Sequence, residues 1–545
     1  MTGSHTMEQD SRVRYFINPE RIVWQDAQDG KIENPQALFS KNPDICTLSS
    51  KTNGTPTLIL DFGRELNGGI CLGIHLIKQN RSAKFRLRFG ESVSEVMNTP
   101  TPDHAIHEWV MDIPRLSTQE FGLTGFRFLR LELLEPNVTV QISRLQAVAL
   151  ERPWQYQGAF ECSDQKINEI WKVCARTVHL CCQEYLLDGI KRDRLVWMGD
   201  IHPQIHVLAN VFGNKQIVKQ SLKYLCDHTD PNGWLNGISS YSLWWIISVW
   251  DWFMYTGDRA FLMDQKTYLQ DLIARIEKYV DETGREHFEP WRFLDWASEG
   301  NKKAVDQGLQ ALTAWALRDA ASIADTLENK ELAHRCTLLA QRMRSCADPK
   351  DFANKQAAAI NVLAGISDPK QTNLEYLTPD PCNGISPWSG YYVLEARALA
   401  GDYTNALDLI RQYWGAMLDL GATSFWEHFD IRWLENAGRI DEIVPPDKHD
   451  VHTEYGDHCY LGLRHSLCHG WAAGPAAWLN RYVLGVQPLE PGMKTITVKA
   501  HLGDLAWAQG TVPSPFGPIH VRHRRTPDGS IETECDCPDP VEVKR

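Results

Sequence analysis

One charged stretch of the chain, residues 188–200, carries the residue types that acid–base chemistry requires. It reads DGIKRDRLVWMGD and holds three aspartates, three basic side chains and one tryptophan. Apolar helical sequence precedes the stretch and a helix-like pattern follows it. Charged groups are costly to bury unless they pair with one another or serve a site. A solvated loop with internal Arg–Asp pairs is the alternative interpretation, because structural ion-pair networks are common.

Tryptophan is abundant in the same part of the chain. Of the 20 tryptophans, 17 lie between Trp154 and Trp478. Tryptophan packs well in the cores of large helical domains, but its ring face also stacks on the C–H faces of sugars. The excess therefore favours a carbohydrate site.

The composition excludes several classes of protein. The chain has 545 residues, of which 43% are hydrophobic, and a net charge of −13. These values predict two or three folded domains and argue against binding to nucleic acid or to anionic membrane surfaces. The longest apolar window, near residues 243–250, is too short to span a bilayer. Residues 1–16 show no apolar signal-peptide core, and the 14 cysteines show no disulfide framework, so we expect a cytoplasmic protein.

Three groups of histidines and cysteines have the residue types of a metal site without its spacing. His202 and His206 are one helical turn apart, but no third ligand accompanies them at the spacing of the zinc hydrolases. Cys535 and Cys537 lack a second cysteine pair, and the histidines within residues 448–459 fit no ligand spacing that we can justify. No glycine-rich nucleotide motif is present. The sequence therefore predicts no metal and no cofactor.

The periodicity of the hydrophobic residues divides the chain into three regions of a mainly α protein. Residues 1–155 alternate as strands do, for example in KFRLRFG at residues 84–90, and predict an N-terminal β-sandwich domain. Residues 156–486 contain about a dozen segments of helical period, one of them at residues 427–437, and no repeat of fixed length. Such a series predicts paired helices closed into an (α/α)6 barrel. Residues 487–545 alternate again and predict a small C-terminal β-sandwich domain.

Several blocks of the sequence resemble the compact bacterial α-L-rhamnosidases of glycoside hydrolase family 78. DGIKRDRLVWMGD resembles the family signature D-C-P-Q-R-D-E-R-x-G-W-x-G-D. MLDLGATSFWEHFD at residues 417–430 resembles L-x-x-G-A-T-T-x-W-E-x-W, and CHGWAAGPAAWLNRYVL at residues 468–484 is similar to N-H-x-x-x-G-x-x-x-x-W-L-Y-R. WDWFMYTGD, LDW and the C-terminal PGMKTITVKA are similar to further family segments. The family fold, an (α/α)6 barrel flanked by β-sandwiches, agrees with the periodicity described above.

The resemblance implies an exo-acting glycosidase that removes terminal α-L-rhamnose with inversion. Such enzymes use one carboxyl as an acid and a second as a base that activates water, roughly 6.5–9.5 Å apart. By matching position, the base is Glu427. The family's acid is a Glu after Arg-Asp, but this chain reads RDR, so we expect Asp193 to replace it, with Asp188 as the competing candidate. The three cations beside Asp193 oppose this role, since cations lower a carboxyl pKa and an acid requires a raised one.

The resemblance also implies a set of sugar-binding side chains. By matching position, Asp188 and Arg192 would hold rhamnose hydroxyls, and His469 would bind another. The family has an aspartate at the position of Ser242, so that contact is expected to be missing or to come from Tyr241. The apolar wall of the sugar pocket would consist of three matched tryptophans: Trp197, Trp250 and Trp296.

Residues 435–460 form a charged segment that is longer than is usual in the family, and we expect a lid or rim on the aglycone side. The expected ligand is a small rhamnose-containing saccharide or glycoside. A homodimer is compatible with a cytoplasmic enzyme, although no residue argues for it. Two alternatives stay open: a related barrel enzyme for another sugar, because Ser242 and the missing Glu alter the pocket, and a catalytically inactive carbohydrate-binding homologue.

Overall fold

The computed structural model describes residues 10–40, 44–100 and 106–544 of the chain. The β-strands are β1 Val13–Ile17, β2 Arg21–Asp26, β3 Lys31–Glu33, β4 Cys46–Ser49, β5 Thr57–Ile77, β6 Ala83–Gly90, β7 Glu108–Ile113, β8 Ser117–Leu133, β9 Thr139–Glu151, β10 Ala159–Cys162, β11 Val486–Pro488, β12 Thr495–Val498, β13 Trp507–Ser514, β14 Gly517–Arg525, β15 Ile531–Asp536 and β16 Glu542–Lys544. The α-helices are α1 Val93–Met97, α2 Gln165–Cys181, α3 Met198–Val207, α4 Gln216–Asp227, α5 Ser239–Thr256, α6 Arg259–Asp264, α7 Lys266–Lys278, α8 Lys302–Thr326, α9 Lys330–Cys346, α10 Lys355–Leu363, α11 Pro369–Thr372, α12 Pro387–Ala400, α13 Tyr403–Leu409, α14 Gly415–Asp419 and α15 Gly474–Trp478. This succession of strands, helices and strands agrees with the periodicity of the sequence.

The nine strands that the structure describes before residue 155 join into one antiparallel sheet. Its order is β3-β4-β9-β5-β8-β6-β7, with β1 beside β9 and β2 beside β5. The alternation predicted for β6 is confirmed, since Phe85, Leu87 and Phe89 are fully buried in the core of this region. The central strand β5 is buried along most of its length on both faces. Most of its buried apolar side chains belong to a core that the N-terminal strands form among themselves.

The C-terminal strands form two small sheets. One has the order β10-β13-β14-β15, and the other has the order β11-β12-β16. Strand β10 precedes the first helix of the helical region in the chain. It pairs with β13 and forms one edge of the C-terminal sheet. No helix in the described ranges is both long enough and apolar enough to cross a membrane.

Residues 427–437 are not the helix that their period predicts, and that expectation is wrong. Only a short 3-10 turn forms there, at Ile431–Leu434. The backbone N–H of Glu427 donates to the carbonyl of Ser466 at 3.0 Å, and the N–H of His428 donates to His465 Nε2 at 2.9 Å. Because a neighbouring segment accepts these hydrogen bonds, the backbone follows that segment instead of coiling on itself.

The arginine of a buried ion pair in the N-terminal sheet also binds the helical region. Arg127 of β8 donates to both carboxylate oxygens of Asp61 on β5, at 2.8 and 2.9 Å. The same guanidinium donates to the carbonyl oxygen of Gly421 at 2.9 Å and lies 3.4 Å from Asp441. Arg127 and Asp61 are both buried, and Asp61 also accepts hydrogen bonds from Arg21 Nε at 2.9 Å and from the N–H of Gly63 at 2.7 Å.

We predict that Arg127→Met lowers the free energy of unfolding by about 3–5 kcal/mol, because Asp61 and the Gly421 carbonyl lose a buried partner. The double variant with Asp61→Asn should lose less, since it also neutralises a buried carboxylate whose remaining ionic partner is the half-exposed Arg21. Lys223→Met, which breaks an exposed pair with Asp227 on α4, is the matched control and should be nearly neutral. Urea unfolding followed by circular dichroism measures all three variants. Equal losses for the Arg127 and Lys223 variants would contradict the prediction.

Candidate active site

The charged stretch follows α2 and continues into the first turn of α3, and Asp188 organises its backbone. One Asp188 carboxylate oxygen accepts the N–H of Asp193 at 3.2 Å, and the other accepts the N–H of Leu195 at 2.9 Å. The backbone N–H of Asp188 in turn donates to the carbonyl of Leu195 at 3.0 Å. Residues 188–192 are buried, so the alternative of a solvated loop is excluded for this part of the stretch. Asp188 therefore folds residues 188–195 around its own carboxylate.

Lys191 points away from Asp193 into a wholly buried set of acceptors. Its Nζ lies 3.1 Å from Glu95 and 3.2 Å from Glu91, which come from α1 and the residues before it. It also donates to the carbonyl oxygens of Leu463 and His465, at 3.0 and 2.8 Å. Lys191 thus connects the charged stretch to the N-terminal region and to the segment that follows residue 460.

Arg192 is the cation of the stretch that faces the carboxyl groups. Its Nη2 donates to both oxygens of Glu427 at 2.6 and 2.5 Å, and its Nη1 lies 3.2 Å from Asp193 Oδ1. Its Nε donates to the carbonyl of Arg464 at 3.0 Å, which fixes the guanidinium plane. Arg194 turns instead to an asparagine side chain of β5, at 2.8 Å. One guanidinium therefore holds the expected acid and the expected base at its two ends.

His469 lies at the centre of the carboxyl groups. Its Nε2 is 3.5 Å from Glu427, 3.6 Å from Asp200 and 3.7 Å from Asp188. Burial lowers the pKa of His469, but the interactions with Asp188, Glu427 and Asp200 outweigh burial and raise the pKa above its ordinary value. The imidazole thus lies next to three carboxyl groups, those of Asp188, Asp200 and Glu427, which form a carboxyl cluster.

Asp200 is a member of this cluster that the sequence analysis missed. It lies in the first turn of α3 and is buried. Burial raises the pKa of Asp200 well above its ordinary value; His469 lowers it, whereas Asp188 and Glu427 raise it further. The sequence did contain a sign of its importance, since Asp200 ends the charged stretch and matches the final Asp of the family signature. Position in the motif alone did not indicate a role.

Two of the three matched tryptophans, Trp197 and Trp296, belong to one series of aromatic rings. A continuous series of ring contacts begins at His469 and ends at Trp197, and it includes Tyr241 and Trp296. The centroid separations are His469–Trp471 4.6 Å, Trp471–Tyr460 6.4 Å, Tyr460–Trp296 6.4 Å, Trp296–Phe293 5.1 Å, Phe293–Tyr241 6.3 Å and Tyr241–Trp197 6.1 Å. Flat apolar ring faces thus lie next to the carboxyl cluster, the combination that sugar sites use.

Trp250 makes no ring contact with this series in the part of the chain that the structure describes. Trp250 packs against Phe253 of its own helix, at 5.9 Å between ring centroids. Tyr241 occupies the first turn of α5, and Trp250 follows nine residues later, roughly 13 Å further along the helix axis. Ser242, which stands where the family has an aspartate, uses its hydroxyl within the protein: the hydroxyl accepts the backbone N–H of Leu235 at 2.9 Å.

Tyr460 is a second residue that the sequence analysis missed, and it belongs to the charged segment 435–460. It is buried, and its ring stacks on His428 at 5.4 Å. Burial raises the pKa of Tyr460 well above its ordinary value, and Glu427 and Cys459 raise it further. The hydroxyl interacts with the Cys459 thiol, but it makes no hydrogen bond of standard geometry within the part of the chain that the structure describes. No motif marks this position, so only the fold places it beside the cluster.

Asp193 is a partly solvent-exposed carboxyl at the edge of this site. About a fifth of the Asp193 side chain is accessible (21%), whereas Glu427 exposes only 6% and Arg192 3%. Glu427 is further held by the backbone N–H of Ser466, which donates to its Oε2 at 3.1 Å. The arrangement is a buried carboxylate on one side of a guanidinium and a partly exposed carboxyl on the other.

Two family models match the chain. Residues 155–372 match the bacterial alpha-L-rhamnosidase 6 hairpin glycosidase domain, and residues 485–544 match the bacterial alpha-L-rhamnosidase C-terminal domain. The helical region is therefore a six-hairpin glycosidase domain, and a small β-domain follows it. Since both matches name one family and together span just over half of the chain, the chain belongs to the bacterial α-L-rhamnosidase family.

Known relatives agree with this assignment. An α-L-rhamnosidase of Alteromonas sp. (strain LOR) is 23% identical over 556 residues, which cover 90% of this chain and 56% of the relative. The chain thus spans about half the length of that relative. The crystal structure of a family 78 rhamnosidase of Bacillus sp. GL1 is 22% identical with a TM-score of 0.77, over 93% of this chain and 55% of that chain. A rhamnosidase from Klebsiella oxytoca with rhamnose bound is 21% identical with a TM-score of 0.69, over 87% of this chain and 96% of that chain. At these identities the structural likeness shows the fold.

We predict that His469→Gln destabilises the protein more at acid pH than at alkaline pH. A histidine whose folded pKa is raised contributes stability below its ordinary pKa of about 6.5, and this stability is lost as the pH rises through the folded value. Urea midpoints of the wild type and the variant, compared between about pH 6 and pH 9, measure the difference.

His428→Gln is the control for this experiment, because burial lowers the pKa of His428 to about 4. Neutral His428 contributes stability that is lost as the pH falls from its ordinary pKa toward 4, so the cost of this substitution should shrink in acid. The two variants should therefore show opposite pH trends. Parallel trends would mean that the carboxyl cluster does not hold a proton on His469.

Proposed function

We propose that the protein is an exo-acting, inverting α-L-rhamnosidase. The observation that carries the proposal is the pair of carboxyl groups, Asp193 and Glu427, held at the two ends of one guanidinium beside an aromatic wall. The rhamnose bound in the Klebsiella oxytoca enzyme and the rhamnosidase relatives support the choice of sugar. Closure of the helical region into an (α/α)6 barrel is part of the proposal, since six hairpins in series suit that architecture.

Glu427 acts as the base in this proposal. Its carboxylate is buried, and two donors orient it, the Arg192 guanidinium and the Ser466 N–H. A base fixed in this way can accept a proton from a water molecule that attacks the anomeric carbon. The carboxylate oxygens at the two ends of the guanidinium can lie no more than roughly 8 Å apart, which is compatible with the roughly 6.5–9.5 Å of inverting enzymes.

Asp193 acts as the acid, because it is the partly exposed carboxyl of the pair, where a departing aglycone reaches solvent. Asp188 is less suited to proton transfer, since both of its oxygens are occupied by backbone N–H groups of its own loop. Asp200 is the competing acid, because burial raises its pKa and a general acid requires a raised pKa. The proposal keeps Asp193 because Asp200 is enclosed beside His469.

The remaining residues bind the sugar. Asp188 and His469 hold hydroxyl groups on the side of the buried carboxyl cluster, and Arg192 donates to the ring substituent nearest Glu427. The apolar face of rhamnose, including its methyl group, packs against three rings of the wall: Trp197, Tyr241 and Trp296. Segment 435–460 forms the rim on the aglycone side and contributes Tyr460.

We predict that Glu427→Gln lowers kcat by about 10²–10⁴-fold on every rhamnoside, since water activation is lost. Asp193→Asn should lose a similar factor on a rhamnose disaccharide and much less on p-nitrophenyl α-L-rhamnoside, because p-nitrophenolate leaves without protonation. Asp430→Asn is the matched control, since this carboxyl, three residues beyond Glu427, pairs with Arg432. Proton NMR of the first-formed sugar should show the inverted anomer.

Each failure of this experiment has its own meaning. If Asp200→Asn shows the disaccharide-selective loss and Asp193→Asn does not, the acid is Asp200. If the wild type cleaves no rhamnoside, a screen of other aryl glycosides tests the related enzyme. Rhamnose binding without any turnover would identify an inactive carbohydrate-binding homologue.

We predict that Tyr460→Phe raises KM for p-nitrophenyl α-L-rhamnoside about 10-fold, because the variant loses one hydrogen bond to the bound glycoside. Tyr268→Phe is the matched control, since the Tyr268 hydroxyl is likewise buried without a standard hydrogen bond among the described residues but packs on Trp245, away from the cluster. Initial-rate kinetics separate KM from kcat. An unchanged KM in Tyr460→Phe would remove Tyr460 from the binding site.

A further inference from the structure

Two histidines and an aspartate converge inside the helical domain, apart from the carboxyl cluster. His202 and His206 lie one turn apart on α3, and Asp251 lies on α5. The Nε2 atoms of both histidines are 3.0 Å from the same oxygen, Asp251 Oδ2. The sequence offered the two histidines without a third ligand at a familiar spacing, and the packing of α3 on α5 supplies that ligand from a distant part of the chain.

The spacing of these three atoms suits a bound metal ion. Each residue offers one ligand atom, and the three atoms lie within 4.8 Å of one another. Nitrogen and oxygen ligands that bind one zinc ion at about 2.0–2.1 Å lie roughly 3.0–3.4 Å from each other. The observed separations of 3.0 Å between each Nε2 and Asp251 Oδ2 fall at the short end of this range. An ion can therefore enter with small movements of the side chains.

The surroundings orient the two imidazoles and leave room beside the carboxylate. His202 Nδ1 lies 2.9 Å from the hydroxyl of Tyr392, so the ring can donate there while its Nε2 faces an ion, as in known metal sites. The His202 ring also packs 4.9 Å from Trp244. The side chain of Asp251 is 24% accessible, whereas His202 is 2% and His206 is 6% accessible. Water ligands can therefore complete the coordination on the aspartate side.

A second group of three potential metal ligands is already occupied by a cationic side chain of the protein. Glu91, Glu95 and His452 also bring three ligand atoms together. The ammonium of Lys191 already lies 3.2 Å from Glu91 and 3.1 Å from Glu95, so a protein cation occupies that position. Within the described ranges, no lysine or arginine forms an ion pair with Asp251, whose ionic contacts are the two histidines.

We propose that His202, His206 and Asp251 bind a divalent transition-metal ion of the zinc type, through the two Nε2 atoms and Asp251 Oδ2. Two imidazoles, one carboxylate and open positions for water form a donor set that suits first-row divalent ions. The bound ion connects α3, whose first turn carries Asp200, to the second half of α5. It therefore fixes α3 against α5 close to Asp200, and the proposal does not depend on which sugar the enzyme cleaves.

Metal stoichiometry tests the proposal on the full chain. Because the sulfurs of Cys535 and Cys537 lie 3.2 Å apart and can capture zinc, all proteins carry Cys535→Ser and Cys537→Ser. Each protein is stripped with a chelator, incubated with excess Zn²⁺, freed of unbound metal by gel filtration and analysed by inductively coupled plasma mass spectrometry. We expect about one ion per chain, and a loss of about 10-fold or more in His206→Gln and in Asp251→Asn. His287→Gln, an exposed histidine beside Asp281, should keep the ion.

Two further readouts keep the test decisive if one variant fails to fold. Zinc should raise the thermal midpoint of the parent protein by a few degrees and leave that of Asp251→Asn unchanged, since only the folded site binds the ion. Co²⁺ in the parent protein should give the visible ligand-field bands of a nitrogen and oxygen site. The proposal is overturned if the parent protein retains no ion, or if His206→Gln and Asp251→Asn retain as much as His287→Gln.

Discussion

The buried ammonium of Lys191 is the constraint on which the arrangement of the site depends. A charge without solvent is tolerated only where counter-charges and acceptors surround it. Lys191 finds them in Glu91, Glu95 and two backbone carbonyls, which come from regions separated by hundreds of residues. All of these segments must be in place before the charge is stabilised. The residues that follow directly, Arg192 and Asp193, are then held where the guanidinium reaches Glu427.

The N-terminal region is therefore part of the site and not only a neighbour of the helical domain. Glu91 accepts the backbone N–H of Leu467 at 2.6 Å, next to Ser466, whose own N–H holds Glu427. Loops that carry both carboxyl groups are thus anchored on one short region around α1. Rigid support of this kind is what a precise acid–base pair requires, because misplacement of a reacting group is costly in rate.

Much of this organisation could be predicted from the sequence, and the failures have physical causes. The alternation of apolar residues predicts the strand-rich and helical regions, and motif positions bring Asp188, Arg192 and His469 to one place. A motif gives the position of Trp250 in the chain, but only the packing of α5 shows that its ring lies against Phe253. Apolar residues do recur with a helical period at residues 427–437, but the backbone N–H groups of Glu427 and His428 donate to a neighbouring segment instead of to a helix. Tyr460 and Asp251 have no local pattern, since tertiary contacts alone bring them to their partners.

Segment 435–460 has a consequence for how this family can diversify. The N–H of Val93 donates to the carbonyl of Ile440 at 2.9 Å, and Lys191 binds the carbonyls of residues just after the segment, so both ends are fixed on the same scaffold. The stretch between these anchors reaches the carboxyl cluster through Tyr460 and its neighbour Cys459. Insertions, deletions and exchanges between the anchors can therefore change the surroundings of Tyr460 while Asp193 and Glu427 keep their positions. Such a loop is a module that can vary in sequence and length separately from the segments that carry Asp193 and Glu427.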